Sequence, residues 1–539
     1  MKTMPPVGEP AAAMPSPAGG NGPRPGRGGF AGDRVRGPGL RAICRNWLGC
    51  LVLLVLPVVV YWPAIFARYG FRDDYSVLRE SHEEAGKVVR VCAMQARPLD
   101  GLMMAGSFRM VPGIDGLRWL RLGTSLLLGC ASVAWFAVGR RLGWNPAVAA
   151  LSGVLIVLLP AAQIIASWAV GWPLIPALLL ALAAFVLVER AMEGRSGAEK
   201  LGWWTAAILA LAASALIYPT NTLFYFSALA AGLWSRRRWA ARRGFAWLAG
   251  HTLTLGVGLA LAFSIAMTTF ARGWVPASSR VALEHDWWGK LQWFAREPLR
   301  NALALIALNE NGGSATVHRL AGFVALVIGA GLCRRAFVRG WRASWWWLAS
   351  LAFVLVSSFG VNLAVANRWS AYRVLLPLSA TVVVLLAMAL LSLGGRALAR
   401  SALLALAVFA VVLARRQTLQ LIARPQAIEL RSIEAGARRI DPARSPRVFV
   451  RTPTAAQHIA PRVFGDEFGS LSTDSDWAPK EMLKLVMRER YPMDPDVTRR
   501  YTCRVGRALP GDAPVDVFID LPSTFDSVRP AVPAAVKGR

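Results

Sequence analysis

Two adjacent carboxylates, Asp73 and Asp74, stand in the stretch Phe71-Arg72-Asp73-Asp74-Tyr75, about one turn past the first long apolar run. Successive residues of a helix or strand do not share a face, so the pair converges only if the backbone turns between them. One carboxylate then aims at a reacting group and the other at a metal or a basic partner. Beside Arg72, at least one stays ionised. A carboxylate pointed at an acceptor hydroxyl is a general base. A divalent cation, Mg2+ or Mn2+, on Asp73 and Asp74 is compatible with the pair, although no ligand spacing demands one. The plainer alternative for two acids in a row is a solvated helix end.

Cations that could clamp phosphate charge lie elsewhere: Arg97 in Ala96-Arg97-Pro98-Leu99, Lys290 in Lys290-Leu291-Gln292-Trp293-Phe294, and Arg373 in Arg368-Trp369-Ser370-Ala371-Tyr372-Arg373. Arginine binds phosphate through two parallel N–H bonds. Each of the three could instead be an interfacial anchor. Trp168, Trp287, Trp288, Trp293 and Trp369 could stack on a sugar face or belong to an aromatic belt. His285, beside Asp286, could assist a metal or a proton but reads first as a surface residue. His251 and His318 lie near span ends and read as packing or interfacial. A polar cluster, Asp466-Glu467-Phe468-Gly469-Ser470 with Ser472-Thr473-Asp474, reads as a turn in which Ser472-Thr473 caps the next helix, or as an acceptor loop leaning over a site. No EF-hand, paired CxxC, P-loop, dinucleotide fingerprint or Ser-His-Asp arrangement is present.

The elements that must position these residues are apolar. The chain has 539 residues, 55% of them hydrophobic, and a mean hydropathy of +0.42, beyond the ordinary range of soluble domains. About eleven runs suit membrane helices: 47–67, 119–138, 147–160, 173–188, 203–217, 222–234, 246–269, 317–333, 345–361, 374–394 and 401–415. The pair 203–217 and 222–234 could be a hairpin of short helices broken at Tyr218-Pro219. No Asp or Glu lies inside these runs, whereas ion-coupled transporters place ionisable groups at membrane depth.

The net charge is +30, concentrated in alternate short loops such as Arg140-Arg141, Arg236-Arg237-Arg238 and Arg334-Arg335. That pattern sets orientation and argues against nucleic acid as a partner. It places the N-terminus in the cytoplasm, with 68–116, 270–316 and the C-terminus outside. Residues 1–46, rich in Pro and Gly, read as a disordered basic tail. Residues 47–416 form the membrane unit. Residues 417–539 read as a small periplasmic α/β domain, with strands near Val448-Phe449-Val450 and Val515-Asp516-Val517-Phe518-Ile519 and a helix from Lys480 to Arg490. The fold class is thus an all-α polytopic membrane protein with a C-terminal α/β domain. Among six cysteines, Cys44, Cys50, Cys130 and Cys333 read as packing residues near spans, and a Cys92–Cys503 disulfide is conceivable.

The order of motifs matters more than any one of them. A first span is followed by the acidic pair, then Arg97-Pro98, then an Arg-bearing span entry, Leu117-Arg118-Trp119-Leu120-Arg121. Gln163 and Trp168 come next, then Ile217-Tyr218-Pro219, the Lys290–Phe294 stretch with Pro298-Leu299 and Asn301-Ala302-Leu303, and finally Arg368–Arg373. Over most of residues 47–400 this order resembles the GtrII-like glucosyltransferases, within the membrane glycosyltransferases of GT-C fold. That family more often has Gly before the Arg-Pro and Gln after the Tyr, where this chain has Ala96 and Pro219. The resemblance implies transfer of a hexose, glucose by default, from a polyprenyl-phosphate carrier to a surface glycan such as O-antigen or to a lipid, at the periplasmic face of a bacterial inner membrane. It implies Asp73 or Asp74 as catalytic base, Arg97, Arg373 and Lys290 on the donor phosphate, and Tyr75, Trp168, Tyr218, Trp293 and Tyr372 as substrate contacts. Two alternatives stay open on the sequence: a flippase or transporter for lipid-linked glycans, and a non-catalytic envelope-assembly protein.

Overall fold

A computed structural model describes residues 47–310, 313–460, 462–509, 511 and 514–528; the tail expected over 1–46 falls outside the described residues. The chain is mainly helical. In order, α1 is Trp47–Phe66, α2 Asp73–Glu83, α3 Lys87–Ala93, α4 Pro98–Arg109, α5 Leu117–Arg141, α6 Pro146–Leu158, α7 Pro160–Ser167, α8 Leu174–Glu193, α9 Gly197–Ile217, α10 Tyr225–Ser235, α11 Ala241–Ala271, α12 Trp287–Arg296, α13 Ala315–Arg339, α14 Trp341–Ser357, α15 Leu376–Thr418 and α16 Arg424–Ala437.

Among the described residues, seven helices are long and apolar enough to cross a membrane, or eight if the bent pair α6–α7 counts as one span. The expected eleven are not reached. Every apolar run does fall on a helix, but α6 has 13 residues and α10 has 11, fewer than a perpendicular crossing takes, and α14, at 17, stands at the lower limit. The last two runs share α15, which breaks where Gly394 and Gly395 leave helical geometry and Gly395 takes φ +69°. The stretch between the runs 147–160 and 173–188 is largely α7, bent by 57° from α6 at Pro160. Proline denies α7 one N–H bond and starts a new helix. As the sequence suggests, α9 ends at Tyr218-Pro219.

Small residues set how closely the helices approach. A Cβ at Gly129 would lie 2.1 Å from the Leu54 carbonyl oxygen, so α1 and α5 cross nearly backbone to backbone there. One expectation about charge fails. α8 runs past residue 188, and Glu189 is buried in the bundle. It accepts from Trp247 Nε1 (2.7 Å), sits 2.9 Å from His251 Nε2 and pairs with Arg236, while His251 Nδ1 meets the Tyr225 hydroxyl at 2.6 Å. The acid is neutralised where it stands, so its burial is affordable. His251 is accordingly a core residue rather than an interfacial one.

The C-terminal part forms a three-stranded sheet, β1 (Arg447–Arg451), β2 (Thr502–Gly506) and β3 (Val517–Asp520), in the order β2-β1-β3 with both pairings parallel. Parallel pairing requires crossovers. The first contains α17 (Ala478–Arg490); β3 runs directly into α18 (Leu521–Val528). β2 carries one apolar residue in two and lacks the run of β-branched residues that marked the other strands. This sheet shares one core with the segment before α5: Val77, Leu78, Phe108 and Ile114 are buried in the same cluster as Ile428, Ile433, Val448, Met487 and Phe525. Residue 417 is therefore a boundary of composition and not of packing. Cys92 and Cys503 are free thiols, and Cys130 and Cys333 are exposed on helix surfaces rather than packed.

Candidate active site

The strand of chain leaving α1 is anchored from α5. Arg121 is fully buried, its guanidinium donating to the carbonyls of Tyr69 (2.8 Å), Ala67 (2.8 Å) and Ile65 (3.3 Å) and lying 4.1 Å over the Tyr69 ring. It satisfies carbonyls that the end of α1 leaves orphaned. The Tyr69 hydroxyl donates to Ser167 O at the end of α7 (2.7 Å). The acidic pair emerges from this fixed stem.

Asp73 and Asp74 open α2 and point apart. Asp74 is fully buried. Its carboxylate accepts from the backbone N–H of Phe71 (2.9 Å), Val170 (2.9 Å) and Ala169 (3.3 Å). Burial pushes its pKa up to about 7, against those amides and Arg121. Asp74 pegs the first loop segment onto the turn after Trp168. Asp73 is exposed, at a helix N-terminus where the dipole favours a negative charge. A cation shared by the two would need their oxygens turned toward one point. Asp74's are turned inward onto amides, so the pair does not fit Mg2+ or Mn2+. Among the described residues no group of three or more His, Cys, Asp or Glu could hold a metal.

Arg97 belongs to the same outer segment as Asp73. It ends a tight turn after α3, pairs with Asp100 Oδ2 at 3.4 Å, donates to Gln95 and lies 5.0 Å over the Tyr218 ring. Burial works to lower its pKa, but Asp100, Tyr218, Cys92 and Asp73 together hold it above the ordinary value. Asp73 and Arg97 are thus within electrostatic reach. Asp100 is 2% exposed, and its Oδ1 has no hydrogen-bond partner among the described residues. Burial raises its pKa to about 6, with Arg97 opposing. An orphaned buried carboxylate oxygen is costly. Its signal was readable: Asp100 follows Arg97 by three residues on a helix opened by Pro98, and i,i+3 residues are neighbours. Arg280, from the 270–316 segment, adds a second guanidinium by donating to Gln95 Oε1 (3.1 Å).

Backbone strain gathers here. Among the described residues, five non-glycine residues have positive φ, and three of them are Arg72 (+45°), Ala96 (+61°) and Asp466 (+73°). Arg72 and Ala96 immediately precede Asp73 and Arg97. Such conformations persist only where the surroundings over-determine them, and they concentrate at functional sites.

The other expected site residues are placed differently. Arg373 is sandwiched by Trp168 (4.4 Å) and Trp369 (4.5 Å) and pairs with Glu467 Oε1 at 2.8 Å. Glu467 is fully buried, pushed up to about 7 by burial, and also accepts from Tyr372 N–H (2.9 Å). Arg72 donates to Asp466 O (2.8 Å), and its N–H to Ser472 Oγ (2.9 Å). The 466–474 loop therefore does lean on the first loop segment and on Arg373. This Arg373–Glu467 pair, 94 residues apart in the chain, was not readable in sequence. Ser472-Thr473 does not cap α17; its amides and the Thr473 hydroxyl donate to Glu429.

Lys290 is buried, its ammonium donating to Val365 O (2.7 Å) and Asn367 O (2.9 Å), with Glu284 at 3.8 Å and the Trp293 ring at 4.7 Å. It staples two loops with two of its three N–H donors, and Glu284 stands against the ammonium. Tyr75 is fully buried, its hydroxyl accepting from Gly70 N–H (3.0 Å). The Tyr372 hydroxyl accepts from Asn309 N–H (2.6 Å). Trp293 donates to Glu297 (3.1 Å). These three are committed to internal bonds, whereas Trp168 and Tyr218 lie against Arg373 and Arg97. His285 is exposed.

Compared with models of known protein families, the chain matches none, and no curated protein matches it significantly.

Proposed function

We propose that this is a membrane glycosyltransferase that moves a hexose from a polyprenyl-phosphate carrier to a glycan or lipid acceptor at the periplasmic face. The observation that carries the reading is an exposed carboxylate, Asp73, within electrostatic reach of Arg97, which itself pairs with the half-satisfied Asp100 beside an apolar helix bundle. A lipid-borne donor would approach from the bundle side and a hydroxylated acceptor from solvent. Asp73 takes the proton of the acceptor hydroxyl as its oxygen attacks the anomeric carbon. The bond from that carbon to the phosphate oxygen breaks, and the electron pair leaves on the phosphate. Arg97, fixed by Asp100 and Tyr218, stabilises the charge that grows there. A single displacement inverts the anomeric carbon. Asp74 holds Asp73 in place and takes no proton in this scheme.

The test is transfer of label from radiolabelled polyprenyl-phosphate hexoses in acceptor-rich membranes, wild type against Asp73→Asn. Label reaching a glycan or lipid with wild type alone supports the reading. Equal transfer by the variant removes Asp73 from the role of base. No transfer from any donor, with scrambling of the lipid-linked sugar in the same vesicles, replaces the enzyme with a flippase.

A further inference from the structure

Where α15 leaves the apolar bundle, the chain makes one π-helical turn, Leu419–Ala423, before α16 begins. Such turns admit an extra residue at the cost of helix geometry and recur at functional sites. The Leu421 carbonyl of this turn accepts from Gly469 N–H (2.7 Å), tying it to the C-terminal part. Beside the turn lies a cavity of about 450 Å³, lined by Leu413, Arg416, Gln417, Gln420, Leu421, Arg424, Ile459, Ala460, Arg462 and Phe464.

Its chemistry is divided. Leu413, Leu421, Ile459 and Phe464 make an apolar wall, and Phe409, 59% exposed, continues it down the face of α15 that carries Leu413, Arg416 and Gln420. Three guanidiniums make the polar wall, and among the described residues no carboxylate lines it. Arg462 pairs with Glu310 outside it; Arg424 donates to Gln420 Oε1 at 3.3 Å; neither Arg416 nor Arg424 pairs with a carboxylate among the described residues. Gln417 supplies an independent sign of a missing partner. It is 7% exposed, and its Nε2 donates to Ile306 O (3.1 Å), while its Oε1 has no partner. The cavity thus offers cations to an anion, an acceptor to a hydroxyl, and an apolar track to a chain.

We infer that this cavity binds a lipid phosphodiester whose head group carries a hydroxyl: the phosphate meets Arg416 and Arg424, the hydroxyl donates to Gln417 Oε1, and the lipid chain follows Leu413 and Phe409 along α15. The site uses none of Asp73, Arg97 or Asp100, so it stands whether or not the transfer reading does. Two lipids share this chemistry, a glycerol-headed phospholipid and a polyprenyl-phosphate sugar.

The full-length protein is reconstituted in phosphatidylcholine nanodiscs and titrated with phosphatidylglycerol, retention being read by native mass spectrometry. Wild type should retain phosphatidylglycerol at least tenfold better than phosphatidylcholine, and better than phosphatidylmethanol, the same phosphodiester without a hydroxyl. Arg416→Gln/Arg424→Gln should lose that preference with its Tm unchanged, since both side chains are exposed. Gln417→Met should bind phosphatidylglycerol and phosphatidylmethanol alike. Equal retention of phosphatidylglycerol and phosphatidylcholine by wild type, or the same retention by wild type and the double arginine variant, overturns the site. A polyprenyl-phosphate hexose that displaces bound phosphatidylglycerol identifies the lipid-linked sugar as occupant; failure to displace identifies the bilayer phospholipid.

Discussion

Two segments outside the long apolar helices carry acids, cations and aromatic rings in similar density, and they are put to different use. In the Glu284–Arg296 segment most charges are answered, although Glu284 Oε2 accepts no hydrogen bond among the described residues. Lys290 sits among carbonyls, Asp286 takes Gly289 N–H and Arg368, and Glu284 lies between Arg368 and Lys290. In the Arg72–Asp100 segment the accounting fails at chosen places: Asp73 is exposed, Asp100 keeps an orphaned oxygen, and Arg72 and Ala96 hold strained backbone. Charge density does not distinguish the segments, and each keeps one such carboxylate oxygen; the strained backbone at Arg72 and Ala96 does.

The sharpest break in that comparison lies within the acidic pair. Asp73→Asn should lower sugar transfer by about 10²–10⁴-fold and leave the Tm of the solubilised protein unchanged. Asp74→Ala should do the reverse in kind, stripping three buried amides of their acceptor and costing about 3 kcal/mol or more, read as a lowered Tm and poor yield. Loss of rate with full stability in Asp74→Ala would exchange the two roles. Arg97→Ala should cost about 10²–10³-fold in transfer, whereas Lys290→Met, which removes a staple between two loops, should lower Tm but leave the rate per folded molecule unchanged. A rate loss for Lys290→Met matching that for Arg97→Ala would erase the distinction.

Asp100 offers a smaller effect with a definite sign. Its folded pKa, about 6, lies above the ordinary value of about 4. The protonated form is therefore the one folding favours: that contribution is complete below about pH 4 and is lost as pH rises through about 6. The Tm of wild type relative to Asp100→Asn should fall over that window and then level off; a flat difference would place Asp100 in solvent. Smallest is Ala96→Gly, which should relieve the positive φ and raise stability by up to about 1 kcal/mol, provided the added freedom of the unfolded chain does not cancel it.

Much of the architecture was legible from hydropathy alone. Apolar runs mark helices because a backbone in hydrocarbon must satisfy itself locally, and each of the eleven runs lies on one. Their lengths as crossings were not legible, because the bend at Pro160 and the break at Gly394-Gly395 depend on neighbours that tolerate them. Val448–Val450, Val517–Ile519 and the helix ending at Arg490 were visible through their periodicity, but β2 was not, since Thr502–Gly506 alternates weakly and becomes a strand by pairing with β1.

At the site, residue types and local spacing were enough to single out Asp73, Asp74 and Arg97, and the i,i+3 step to Asp100 was there to be read. Which aspartate faces out was decided only by the fold, because Asp74's partners, Ala169 and Val170, lie about a hundred residues away. The same holds for Glu189, Glu467 and Lys290, whose pairings join distant segments. Sequence sets which groups must find partners; the tertiary structure alone decides which of them are left without one, because satisfaction is a property of the assembled neighbourhood and not of the residue.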